Sequence, residues 1–299
     1  MRKADKRVRI TAQLVDATSG HHLWAERYDR ELTDIFALQD EITQQIVTAL
    51  RVEVREAERE RVRRIPTNNF TAYDAVLRGL EYYWRLTQEA NIQARQLWER
   101  AIELDPQYAE AYAWLGWSYL TEWTWQWSRD PQTLEQAFTL AQKAIVLDDS
   151  LPAAHMVLGS VYLFKGQHEQ ALAEGEQALA LDPNFAEGHA ALAGILLFAG
   201  RPEGAIGLVE KALRLSPHAP AWYIVLLGSA YRLAGQYEEA MAAYKRALLR
   251  NPDFLPAHRV LAAVYSELGR DEEAHAEAAE VLRIQPPFLA GSVGADVAP

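Results

Sequence analysis

The sequence predicts a mainly α fold: an α-solenoid, a right-handed superhelix of about six helix pairs, preceded by a small β-hairpin and one helix. Two observations carry this expectation. Residues 70–286 repeat with a spacing near 34, and residues 8–28 alternate apolar with polar side chains where that repeat is missing. Charge separates the same two parts. Residues 1–64 hold 13 Lys/Arg against 12 Asp/Glu, whereas residues 65–299 hold 17 against 29.

In chain order, Val8, Ile10, Ala12 and Leu14 predict a half-buried strand, Asp16–Gly20 a turn, and His21–Tyr28 a second strand. A helix is expected over 35–62. Ile35, Leu38, Ile42, Ile46 and Leu50 share its apolar face, and Thr33 or Asp34 caps it. Two strands and one helix bury little surface, so the bare strand edge calls for a partner. The run Arg64-Ile-Pro-Thr-Asn-Asn69 reads as a linker, placed at 65–71, between a 1–64 segment and the repeats.

The repeat is marked by Leu104-Asp-Pro106, Leu147-Asp-Asp149, Leu181-Asp-Pro183, Leu215-Ser-Pro217, Arg250-Asn-Pro252 and Ile284-Gln-Pro286, with successive gaps of 43, 34, 34, 35 and 34. Gly116, Gly159, Ala193, Gly228 and Ala262 are small. Ala171, Ala205, Ala240 and Ala274 follow the last four by 12, and Ala178, Ala212, Ala247 and Val281 come seven later. Two antiparallel helices per unit explain this. Where their axes come closest, a larger side chain would cost about 1–3 kcal/mol of overpacking. The pairs fall at 72–105, 109–148, 152–182, 186–216, 220–251 and 255–285, and 286–299 forms a flexible tail. The gap of 43 reflects nine residues inserted between Gly116 and Ala137, in a stretch holding Trp114, Trp117, Trp123, Trp125 and Trp127. If the first helix of this pair runs on, Tyr119, Trp123 and Trp127 form one stripe. Packing against Tyr82, Tyr83, Trp84 and Trp98 is one role for this cluster. An aromatic rim for a partner, built from Trp123, Trp125 and Trp127, is the other.

Tyr112-x-x-Leu115-Gly116-x-x-Tyr119, His155-x-x-Leu158-Gly159-x-x-Tyr162, Ile224-x-x-Leu227-Gly228-x-x-Tyr231 and His258-x-x-Leu261-Ala262-x-x-Tyr265 resemble the tetratricopeptide repeat signature. The resemblance covers about 215 residues. It implies a concave face lined by the first helix of each pair and a protein or peptide as partner. The family's positions on that face here hold Trp117, Leu120, Met156, Ser160, Leu163, Phe164, Leu197, Phe198, Val225, Ser229, Arg232 and Arg259. The Lys/Asn/Arg set with which some members grip a peptide C-terminus is not present. The expected ligand is therefore an apolar or amphipathic segment in a trough that is apolar in its middle. His155, His189 and His258 share one repeat position, but repeats stacked about 10 Å apart cannot bring three equivalent side chains to one ion with bonds near 2 Å.

Val8–Gly20, Leu23–Asp29 and Asp34–Ile42 resemble the C-terminal part of a TolB-like (FlgO-like) α/β domain. In bacterial proteins of that type it joins tetratricopeptide repeats to an adenylate/guanylate cyclase or a winged-helix output domain. The resemblance implies that the chain starts partway into such a domain, as a truncated frame or a fragment. It offers an alternative function: the sensory part of a signalling protein whose output domain lies elsewhere. No cyclase or DNA-binding residue is present to carry over.

Composition narrows the remaining classes. With no Cys, disulfides, thiolate zinc sites and thiol nucleophiles are excluded. A net charge of −11 opposes nucleic acid as a main ligand. No run approaches the roughly 18 apolar residues of a membrane span, and the charged start lacks an apolar signal core, so a cytoplasmic protein is expected. No Walker A loop, Gly-x-Gly-x-x-Gly, Gly-x-Ser-x-Gly or His-Glu-x-x-His occurs. The chain is expected to be non-enzymatic, without cofactor or metal. A second copy could dock at the N-terminal strand edge or the C-terminal repeat end.

Overall fold

The computed structural model describes residues 2–4, 7–15, 21–31, 35–50 and 66–285. The expected turn at 16–20, the cap at 33–34, the helix beyond residue 50 and the tail lie outside the described residues. The N-terminal part holds β1 (Arg2–Ala4), β2 (Arg7–Val15), β3 (His22–Glu31) and α1 (Ile35–Leu50). The hairpin is thus one strand larger than the alternation predicts. Three residues are too few to show a period, and β1 is defined by its antiparallel pairing to β2, Lys3 opposite Val8. In the β2–β3 ladder Ile10 faces Tyr28 and Leu14 faces Trp24. Val8, Tyr28 and Leu38 are buried together, with Ile10, Ala12, Trp24, Ile42 and Phe70 packed around them. Phe70 is the first residue of the repeat array, so this small core is built against it.

Six helix pairs follow: α2 (Phe70–Tyr83) with α3 (Gln88–Leu104), α4 (Ala109–Thr124) with α5 (Pro131–Leu147), α6 (Pro152–Phe164) with α7 (His168–Leu181), α8 (Ala186–Phe198) with α9 (Pro202–Leu215), α10 (Ala221–Leu233) with α11 (Tyr237–Arg250), and α12 (Leu255–Glu267) with α13 (Asp271–Ile284). The marker triplets owe their Asp and Asn to turn chemistry. The side chains of Asp105, Asp148, Asp182 and Asn251 accept the backbone N–H two residues on, at 2.9–3.2 Å. Asn69 caps α2 by accepting from Thr71 and Ala72 N–H, and its Nδ2 donates to the Leu104 carbonyl at the end of α3. Thr67 accepts from Asn69 N–H and donates to Asp105, stapling the incoming chain to the same corner.

The small residues sit at the crossings. Ala137, Ala171, Ala205 and Ala240 are fully buried, as are Ala144, Ala178, Ala212 and Ala247. A Cβ on Gly159 would stand 3.0 Å from the Ala171 carbonyl oxygen, so the backbones themselves are in contact. α13 has no buried residue, and Leu282 is exposed, because no described helix covers it.

The first two pairs depart from the others. α4 is longer than α6, α8, α10 and α12, but it ends at Thr124. The stripe expected through Trp127 therefore stops at Trp123, and the chain turns at Trp125–Asp130. Asp130 caps α5, accepting from Gln132 N–H, with Pro131 in the first turn where its missing N–H costs nothing.

Candidate interaction surface

The aromatic residues of the first two pairs divide between packing and surface. Trp98 is fully buried, stacks on Trp114 at 6.4 Å, tilts against Tyr83 at 5.9 Å, and donates through Nε1 to the Val76 carbonyl. Trp84 meets Trp114 edge-on at 6.5 Å. Tyr83 Oη lies 2.8 Å from Thr121 Oγ1, and burial pushes the phenol up from its ordinary value. Trp114 Nε1 donates to Glu110, and burial raises that carboxyl. Trp98 and Trp114 are core. Trp123 packs half-buried on the same cluster.

The second half of the aromatic set crosses the array. Trp117 of α4 meets Trp222 of α10 at 6.5 Å, three pairs further on. Trp125 meets Phe254, just before α12, at 5.7 Å, and Trp127 stands edge-on to Trp125 at 5.0 Å. Leu86 and Trp125 pack on the core of the last two pairs. The turns ending α2 and α4 therefore reach across to the start of α10 and α12, and the array closes on itself there.

This changes the expected trough. Leu120, Met156, Ser160, Leu163, Leu197 and Val225 are buried, each 1–9% exposed, and offer little surface to a ligand. Leu120 and Met156 belong to a core that runs through the first four pairs, and the Ser160 hydroxyl is spent on the Met156 carbonyl. Ser229 likewise donates to the Val225 carbonyl. Arg232 is bound to Glu267 of the next pair, with Nε 2.9 Å from Oε2, which holds the Glu267 carboxyl below its usual range. Arg259 is exposed and donates to Gln285 Oε1 at 2.7 Å.

Phe164 and Phe198 remain accessible. They end α6 and α8 and meet edge-to-face at 6.0 Å; Phe198 is 67% exposed and Phe164 38%. Leu233 holds the same position at the end of α10 and is 55% exposed. Leu233 lies five residues after Gly228, as Phe164 lies five after Gly159. The result is an apolar ladder with one rung per pair, ending at the Arg232–Glu267 ion pair.

The three repeat-position histidines each serve their own pair. Nε2 of His155, His189 and His258 faces the carbonyl of Asp149, Pro183 and Pro252 at 2.8–2.9 Å. Nδ1 of His155 and His258 faces Glu174 and Glu277 of the second helix, at 2.6 and 2.5 Å. The residue 19 positions after His189 is Leu208, so Nδ1 there is buried without a partner, and burial lowers the imidazole. Among the described residues no group of three or more His, Cys, Asp or Glu is placed to hold a metal ion, and no helix is long and apolar enough to cross a membrane.

A profile of the tetratricopeptide repeat family matches residues 162–227 and 231–290. That match covers less than half of the chain, from the end of α6 through α13. Solved structures similar in fold include a thermophilic tetratricopeptide protein of Thermus thermophilus, 22% identical, with a TM-score of 0.51 over 64% of this chain and 98% of that one. The Cut9–Hcn1 hetero-tetramer of the APC/C is 20% identical, with a TM-score of 0.58 over 86% of this chain and 44% of that one. At these identities the likeness concerns the fold alone. A Rhizobium meliloti (strain 1021) protein named as a candidate adenylate cyclase, number 3, is 43% identical over 159 residues, or 53% of this chain. The chain spans 27% of that relative's length.

Proposed function

We propose that this chain is a non-enzymatic scaffold whose tetratricopeptide repeats bind an apolar segment of a partner protein along the Phe164–Phe198–Leu233 ladder. The observation that carries the proposal is Phe198: a phenylalanine two-thirds exposed, touching a second exposed phenylalanine. Contiguous apolar surface of this kind marks interaction sites, and aromatic rungs supply large contact area at small entropy cost. This edge is exposed apolar surface at the ends of α6, α8 and α10, and Arg232–Glu267 gives it a polar end. The expected ligand stays apolar or amphipathic rather than acidic.

The cyclase-named relative favours a setting for that scaffold: the regulatory region of a bacterial signalling protein. The test is capture of partners by the chain and by its Phe164→Glu/Phe198→Glu variant. Both side chains are exposed, so the unfolding free energy is expected to stay within the scatter of surface substitutions, about 0.5 kcal/mol, while partner capture is lost. Unchanged capture by the double variant would remove the ladder from the function.

A further inference from the structure

The turns that cross the array frame a cleft of about 620 Å³ whose walls come from both of its ends. One side is the turn between α2 and α3 together with the end of α4; the other is the start of α12 and the end of α13. Trp125 lies edge-on to Trp127 and to the buried Phe254, so one wall is aromatic. Most polar groups of the lining are engaged within the fold. Thr87 Oγ1 accepts from Ala90 N–H, and Thr124 Oγ1 donates to the Thr121 carbonyl. Asp253 is ion-paired with Arg283, which also holds Glu280. Arg259 differs. It is exposed, its guanidinium donates to the neutral Gln285 Oε1 at 2.7 Å, and among the described residues no carboxylate forms an ion pair with it. The rest of its N–H fork, planar and always charged, matches the geometry of a carboxylate. A largely apolar cleft of this volume with one convergent charge has the make-up of a small-molecule site. Flat faces beside one unneutralised cation set the chemistry of its occupant: a ring system for the tryptophans and an acid group for Arg259.

We propose that this cleft binds a small aromatic carboxylic acid, with the ring against Trp125 and Trp127 and the carboxylate on Arg259. The walls belong to the first two pairs and to the last one, so such a ligand bridges the two ends and favours the closed array over any opened form. The site is separate from the Phe164–Phe198–Leu233 ladder, and neither reading depends on the other.

The test titrates the full chain with biphenylacetate, with the matching uncharged amide, and with an N-acetylated Ala-Ala-Ala-Phe peptide, read by calorimetry and by tryptophan emission. The acid is expected to approach saturation by ~1 mM. It should bind about ten-fold more tightly than the amide, because charge-assisted hydrogen bonds are about twice as strong as neutral ones. Arg259→Gln should abolish that preference and leave amide binding as it was. Trp125→Ala should weaken acid and amide alike, and Arg259→Gln carries the test if the Trp125 variant does not fold. The acid should also raise the thermal midpoint of the chain, and that of Arg259→Gln by less. Equal affinity for acid and amide would overturn the proposal, as would a preference for the acid that survives Arg259→Gln, or no saturable binding of either probe. A peptide bound ten-fold more tightly than the free acid would overturn it too, by assigning the cleft to the C-terminus of a partner protein.

Discussion

The turns between paired helices come in two kinds. In the last four pairs the left-handed residue is glycine: Gly166, Gly200, Gly235 and Gly269, at φ of 68–76°. The next N–H closes each helix end onto the carbonyl five residues back, as from Gln167 to Tyr162 at 2.9 Å. The second pair makes the same closure, from Trp127 to Glu122 at 3.0 Å, but its left-handed residue is Gln126 at φ 58°. The first pair places Leu86 at φ 58°. A side chain in this conformation costs about 1–2 kcal/mol. The two turns that bear this cost are the two that cross to the other end of the array, where Leu86 and Trp125 pack on the core of the last pairs. The regular turns close a helix locally. The strained ones also hold distant pairs together, and that contact is what offsets their strain.

The contrast extends to the helix crossings, where the largest effect is expected. A Cβ on Gly79 would stand 2.3 Å from Nε1 of the fully buried Trp98, a ring with nowhere to move, whereas at Gly159 it meets the Ala171 carbonyl at 3.0 Å. Gly79→Ala should lose about 3 kcal/mol. Gly159→Ala should lose about 1, since the gain of about 1 in helix propensity offsets part of the crowding. Equal losses in denaturant melts would show that the two crossings do not differ. Trp125→Ala comes next. It removes a half-buried indole from the closing contact, and about 2 kcal/mol should go with it. The same melts on Phe198→Ala should show nearly no change.

A smaller effect of opposite sign tests the turns themselves. Gln126→Gly should raise stability by about 1 kcal/mol, while Gly200→Ala, at φ 69°, should lower it by a similar amount. If Gln126→Gly destabilises instead, the turn is not strained by its side chain. The smallest effect concerns His189. Burial holds its imidazole below the ordinary 6.5, so the unfolded chain takes up a proton before the folded one does. Stability from this site is whole above about pH 6.5 and is lost as pH falls toward the folded value. Leu208→Glu should supply the carboxylate that Glu174 gives His155, raise the His189 midpoint in an NMR titration, and recover roughly 0.5–1 kcal/mol at pH 5.5. A midpoint that stays depressed would mean the new carboxylate does not reach Nδ1.

Much of the fold was legible because its causes are local or repeat at a fixed interval. The marker triplets, the small residues 12 apart and the Gly-x-x-Tyr steps locate each pair, since helix capping, turn chemistry and close crossing of neighbours all act within about 34 residues. The candidate surface was less legible. Phe164 and Leu163 are adjacent on one helix and equally apolar, yet one is 38% exposed and the other 8%. Met156 and Phe198 carry the same kind of periodicity and end in the core and in solvent. Which rung is covered depends on the neighbouring pair, and no local pattern states it.

By itself the sequence determined the repeat and its form as a solenoid of helix pairs, because short-range sterics and hydrogen bonding decide these. Only the tertiary structure decided that Trp117 meets Trp222 and that Trp125 meets Phe254. Those contacts join residues more than 100 positions apart. They arise from the small rotation between successive pairs, summed along the array until its ends meet.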